Sequence, residues 1–159
     1  MSARGGIRPL VAADLSLVLP LYTDPRTREF LGGPISVKEA NERAARMLEE
    51  EETMVILAED GETFAGIITL HRHHDGVSDE LSYSLLPEYV GRGLATLAMR
   101  RMLTHIFAHR GISSVVCETQ TANLRSIRLL ERLGMRQRER IIRFGAEQVI
   151  YCLDKVGFE

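Results

Sequence analysis

The segment with the clearest chemical purpose is Pro87-Glu-Tyr-Val-Gly-Arg-Gly-Leu-Ala-Thr96, which joins a strand-like stretch to a long, apolar-periodic helix. The first N–H groups of a helix have no intrahelical acceptor, and the helix dipole adds partial positive charge there. Gly91 and Gly93 carry no Cβ, so an anion can come close to those amides. The chemistry suited to Val90–Thr96 is the cradling of a diphosphate. Two better-known phosphate loops are excluded. No G-x-x-x-x-G-K-[ST] occurs, and Thr96 stands where the dinucleotide fingerprint needs its third glycine. A lone G-x-G marks a turn more often than a ligand site, so its meaning depends on its surroundings.

Histidines and cysteines are the other groups with reactive potential. His71, His73 and His74 cluster in one loop, and His105 and His109 stand four apart on a helix. Both spacings permit metal binding. No acid or cysteine accompanies either group as a recognisable ligand set, so the expectation is exposed histidines and no metal. Cys117 and Cys152 lie far apart in strand-like segments and read as buried free thiols.

These residues need a scaffold. A chain of 159 residues with 45% hydrophobic and 26% charged content fits one soluble domain spanning 1–159. Its apolar runs are too short for a bilayer span, and MSARGGIRPL lacks the apolar core of a secretory signal. The expected setting is therefore cytoplasmic, with no membrane partner. A net charge of −2 speaks against a nucleic-acid partner, although seven arginines fall between Arg125 and Arg143.

Periodicity gives a strand at GIRPLV, a helix from Ala12 to Thr23 that Pro20 bends or shortens, and a brief helical stretch through Phe30. Ser36 and Glu39 form an S-x-x-E capping box that starts the next helix. Met54–Glu59 and Thr63–His71 read as a hairpin about Asp60–Gly61, and Glu80–Leu86 as a further strand. The helix after the glycine loop gathers Met99, Met102, Leu103, Ile106 and Phe107 on one face. Ser113–Glu118 is a strand and Ser126–Leu133 a helix closed by Gly134. Arg136–Phe144 pairs with Gln148–Leu153 around Gly145.

The stretch LSYSLLPEYVGRGLATLAMRRML resembles the coenzyme-A-binding motif of the GNAT superfamily of N-acetyltransferases. The family core Q/R-x-x-G-x-G/A here reads Val90-Gly91-Arg92-Gly93-Leu94-Ala95, with Val90 in place of the usual Gln or Arg. TQTANLRSIRLLERLGMRQRER is similar to the later family motif N-x-x-S-x-x-L-x-E-K-L-G-F, and GIRPLVAADLSLVLPLYTDPRTREFLGG to the family's opening. The likeness is strongest to the branch of ribosomal-protein N-terminal (alanine) acetyltransferases.

That resemblance implies an α/β fold with a mixed, mostly antiparallel sheet of six to seven strands, splayed between the fourth and fifth and flanked by helices. It implies acetyl-coenzyme A as co-substrate and an amine as acceptor. The acceptor is a protein N-terminus or a small molecule, with an antibiotic amine or a non-catalytic acyl-coenzyme-A-binding module as alternatives. Val90, Gly91, Arg92, Gly93, Leu94, Ala95 and Thr96 would hold the diphosphate, Tyr83, Ser84 and Leu85 the pantetheine arm by main-chain pairing, and Asn123 the same arm. Arg92 with some of Arg125, Arg128 and Arg132 would meet phosphates, unless the arginines simply form a solvated face. Glu80 is implied as the base that frees the amine lone pair, with Asp79 and Glu118 as rivals. Ser126 either starts and caps its helix with Asn123 or donates a proton to the departing thiolate. A monomer and a homodimer both remain open.

Overall fold

The computed structural model describes residues 5–158. In chain order it contains β1 (Gly6–Pro9), α1 (Leu15–Thr23), α2 (Val37–Glu50), β2 (Glu52–Leu57), β3 (Phe64–Arg72), β4 (Asp79–Leu85), α3 (Leu94–His109), β5 (Ser114–Gln120), α4 (Leu124–Arg132), β6 (Arg136–Arg143) and β7 (Ala146–Asp154). The expected succession of elements is present. The sheet order is β1-β2-β3-β4-β5-β7-β6. It is mostly antiparallel, with β4 and β5 parallel and paired at Glu80 opposite Val116. The tertiary contacts divide between two compact units, one built from the chain up to Thr69 with Tyr83–Met102, the other from Leu70–Ser82 with Leu103 onward.

In the first unit, Val18, Leu21, Ala44, Met47, Val55 and Phe64 form a buried cluster. The stripe Ala40, Ala44 and Met47 of α2 supplies part of it, as its helical spacing requires. Ser36 caps α2 by accepting from the Glu39 N–H at 3.1 Å. Glu39 turns its own carboxylate to Arg43 at 3.0 Å, one turn on. Helix α1 runs through Pro20 to Thr23, so the proline does not end it. The stretch before Phe30 is a series of turns rather than a helix. Asp24 Oδ1 takes the Arg26 N–H at 2.8 Å and the Gly33 N–H folds back on the Arg28 carbonyl at 3.0 Å. So short a segment cannot meet the cost of helix nucleation against such local bonds.

The second unit is stapled by tight local motifs. β5 is matched to β7 from Ser114↔Asp154 through Gln120↔Gln148. Helix α4 ends in a Schellman arrangement, in which Gly134 (φ +86°) donates to Glu131 and Met135 to Leu130. The β6–β7 hairpin turns on Phe144 (φ +57°) and Gly145 (φ +72°), a two-residue turn whose positive φ values match the strand twist. The arginine excess has a structural use here. β6 lies at the sheet edge and is exposed over Arg136–Arg140, and such a charged edge resists pairing with another chain.

One buried ion pair braces the start of the chain. Asp14 lies 4% exposed, receives both terminal nitrogens of Arg8 at 2.8 Å and also accepts the Val11 N–H at 2.9 Å. The Arg8 guanidinium holds the Asp14 carboxyl below the usual carboxylate range. A depressed folded-state pKa contributes stability above the unfolded value near about 4, and that contribution fades as pH falls through the folded one. We expect Asp14→Asn to cost about 1–2 kcal/mol at neutral pH, toward the low end because solvent screens the half of the pair at Arg8. In urea titrations the gap between wild type and variant should narrow as pH drops below about 4; a gap that is constant with pH would assign the bond no charge-dependent role.

Candidate active site

The glycine loop belongs to the first unit. After β4, Pro87–Tyr89 makes one 3-10 turn, and Val90–Gly93 then leads into α3. Gly91 and Gly93 take φ of +83° and +79°, values that side-chain-bearing residues rarely adopt. A Cβ at either position would meet nothing within 4 Å, so the space over the loop is open. The Leu97 N–H donates to the Gly93 carbonyl at 3.1 Å. The N–H groups of Leu94, Ala95 and Thr96 therefore precede the helix's own ladder, as those of a first turn must. Leu94 and Ala95 are buried, which anchors the helix start through side chains. Val90 is half-buried and has no polar group to offer. Arg92 is exposed, 3.4 Å from Glu59 and stacked over Tyr89 at 5.3 Å.

Sequence reasoning passed over Gly66. It sits in the middle of β3, where a Cβ would lie 2.1 Å from the Ser84 carbonyl oxygen and 2.9 Å from Leu85 Cα. The Leu86 N–H, just after β4, donates to the Ala65 carbonyl at 2.8 Å. Gly66 thus lets Tyr83, Ser84 and Leu85 approach β3 more closely than any other residue would allow. A glycine inside an apolar strand pattern was the available signal.

The carboxylates lie in the second unit. Glu80 is 8% exposed, and burial pushes its carboxyl above the usual range; His71 and His73 work against that shift, and Glu118 adds to it. His71 Nε2 is 3.9 Å from Glu80 Oε1, and the main-chain N–H of Glu118 also faces the Glu80 carboxylate. Glu118 is differently placed. His73 and His74 meet its Oε1 at 2.7 and 2.9 Å, and Arg143 meets Oε2 at 3.0 Å. Burial alone would raise its pKa, yet these three donors hold it low. Glu118 is committed to one guanidinium and two imidazole partners, and among the described residues Glu80 has no side-chain partner at such distances. Asp79 lies 3.7 Å from Arg72.

The histidine expectation is corrected. His73 is 2% exposed rather than solvent-facing, because Glu118, distant in sequence, supplies the acid that the loop itself lacks. Asn123 is the N-cap of α4, with its side-chain oxygen accepting from the Ser126 N–H at 3.3 Å. Ser126 is buried and occupies the first turn rather than the cap position. Arg125, Arg128 and Arg132 are exposed on α4. Cys117 is buried, and burial drives its thiol far above the ordinary range, so it offers no ready thiolate.

Comparison with known proteins identifies the family and the fold. Residues 4–136 match the acetyltransferase (GNAT) domain. Among solved structures, a GNAT-family acetyltransferase from Bacillus anthracis is 19% identical, with TM-score 0.83 and 97% of each chain covered. Spermidine N-acetyltransferase from Vibrio cholerae, in complex with coenzyme A and spermine, is 17% identical with TM-score 0.81, again covering 97% of each chain. An aminoglycoside acetyltransferase in complex with coenzyme A is 15% identical with TM-score 0.80, covering 96% of each. At these identities the likeness establishes the fold. The diphosphate of coenzyme A fits the open, glycine-lined start of α3. No helix among the described residues is long and apolar enough to cross a membrane. The chain belongs to the GNAT acetyltransferase family, whose co-substrate is acetyl-coenzyme A.

Proposed function

We propose that this protein transfers the acetyl group of acetyl-coenzyme A directly to a primary amine, as a single catalytic domain over 1–159. The observation that carries the reading is the pair Gly91 and Gly93, both at positive φ before a 16-residue helix, with open space where their side chains would be. Acetyl-coenzyme A supplies an activated acyl carbonyl. In this reading the amides from Gly91 to Thr96 hold its diphosphate, and Tyr83, Ser84 and Leu85 pair with its pantetheine arm. An N–H near Leu85 polarises the thioester carbonyl, and Arg92 and Asn123 add cofactor contacts.

An ammonium has no lone pair, so a base must remove its proton before attack. Glu80 takes that role: its carboxylate is buried and not locked by a guanidinium, whereas Glu118 is held by three donors. The nitrogen sheds its second proton as the tetrahedral intermediate collapses, and Ser126 relays it, giving its own proton to the departing thiolate and regaining one from the nitrogen. An acyl-enzyme on Cys117 is disfavoured by the buried, protonated thiol. For the acceptor we favour a protein α-amine, on the resemblance of the Val90–Thr96 and Asn123–Gly134 blocks to the ribosomal-protein branch. A polyamine or antibiotic amine is the second reading, favoured by the spermidine and aminoglycoside enzymes that share the fold. The setting proposed is cytoplasmic.

Gly93→Glu should abolish acetyl-coenzyme A binding in calorimetry while circular dichroism stays near wild type, and unchanged affinity would remove the loop from the site. Gly66→Ala should lower both melting temperature and coenzyme A affinity, since Ser84 must move; a variant with wild-type affinity would show that the close approach of β3 and β4 does not serve binding. Glu80→Gln should cut kcat about 100-fold or more with acetyl-coenzyme A affinity little changed. A panel of peptide, polyamine and aminoglycoside amines, read by coenzyme A release, reports both acceptor and turnover. Tight cofactor binding with no release on any acceptor would favour the non-catalytic module.

A further inference from the structure

The histidine–carboxylate cluster of the second unit, which adjoins Glu80, has a further chemical capacity that its own geometry carries. His73 Nε2, His74 Nε2 and Glu118 Oε1 all lie within 4.8 Å of one another. His73 and His74 are consecutive, and consecutive side chains of an extended strand point to opposite faces. Here β3 has ended at Arg72, and the Asp75 turn, whose Oδ1 accepts the N–H groups of Val77 and Ser78 at 2.8 Å, brings both rings to the same side. The rings stand 3.9 Å apart between centroids and address one oxygen atom.

The geometry points to a divalent transition-metal site, of the zinc type, formed by His73, His74 and Glu118 with one coordination position left open. Two imidazole nitrogens and one carboxylate oxygen form the three-ligand set of open zinc sites. Tetrahedral coordination at Zn–N and Zn–O lengths of about 2.0–2.1 Å places ligand atoms about 3.3 Å apart. The present 2.7 and 2.9 Å separations therefore need to open by roughly 0.5 Å. His74 is half-exposed on the loop and has room to give.

The surroundings also suit a cation. Asp75 faces His73 Nδ1 twice: its main-chain N–H donates to Nδ1 at 3.2 Å and its Oδ2 lies 3.3 Å away. Metal at Nε2 therefore requires Nδ1 to take up the proton and turn from that N–H to Oδ2. Arg143 occupies only Glu118 Oε2, so Oε1 remains the ligand atom.

The test is titration of the untagged protein with Co2+, followed by displacement with Zn2+. The expected result is one equivalent bound with the strong visible absorption of tetrahedral cobalt, bleached by zinc. His74→Ala should weaken binding by more than the roughly tenfold that loss of an outer partner costs. Glu118→Gln, which keeps an oxygen to accept the histidine N–H groups, should retain the fold by circular dichroism and lose the cobalt spectrum. His109→Ala, in the helical pair on α3, should change nothing. No stoichiometric binding, a spectrum that survives His74→Ala or a folded Glu118→Gln, or its loss in His109→Ala would each overturn the site and leave the cluster a hydrogen-bonded network.

Discussion

The close approach of β3 and β4 at Gly66 is the constraint on which the placement of the glycine loop rests. Ser84 carries its carbonyl over a position where a methyl group would lie 2.1 Å from the oxygen. That contact, together with the Leu86–Ala65 hydrogen bond, fixes where β4 ends and where the Pro87–Tyr89 turn begins. The turn delivers the chain to Gly91 and Gly93, and the two positive-φ residues set the start of α3. Helix α3 in turn is held by buried Leu94, Ala95, Ala98 and Met99. A chain of backbone geometry thus leads from one missing Cβ to an open, glycine-lined helix terminus. This is why Val90, lacking the side chain usual in the resembled motif, need not spoil the cradle: main-chain amides need no particular side chain at that position.

The second unit sets in contrast two carboxylates with buried side chains on neighbouring parallel strands. Glu118 accepts hydrogen bonds from His73, His74 and Arg143, and these bonds with the Arg143 charge hold its carboxyl low despite burial. Glu80 has burial without a matching cation at hydrogen-bonding distance, so its neutral form is favoured. Two groups of one chemical type are thereby pushed apart in acidity by their neighbours, the pattern that separates a structural acid from a proton carrier. The Arg138 bulge of β6 contributes from outside, since its extra residue aims a guanidinium at Asp75, 3.6 Å away, and so helps to fix the turn that carries the histidines.

Much of this was legible in the chain itself. The capping Ser36, the Asp60–Gly61 hairpin, the apolar face of α3 and the Gly134 stop each act within a few residues. Periodicity and turn chemistry read such local effects directly. The segment through Phe30 misled for the same reason in reverse: its helical pattern was too short, and Asp24 offered a local competitor. Asn123 rather than Ser126 proved to be the α4 cap, a difference of register that sequence alone leaves open.

By itself, then, the sequence determined the element order and the conformation of the glycine loop, because both depend on neighbouring residues and on what glycine alone can adopt. Only the tertiary structure decided which acid stands beside which base. Glu118 lies more than forty residues from His73 and His74, and Gly66 meets Ser84 across a strand pair. No spacing rule links such residues; sheet register does, and register is set by the packing of the entire strand rather than by the residues that it brings together.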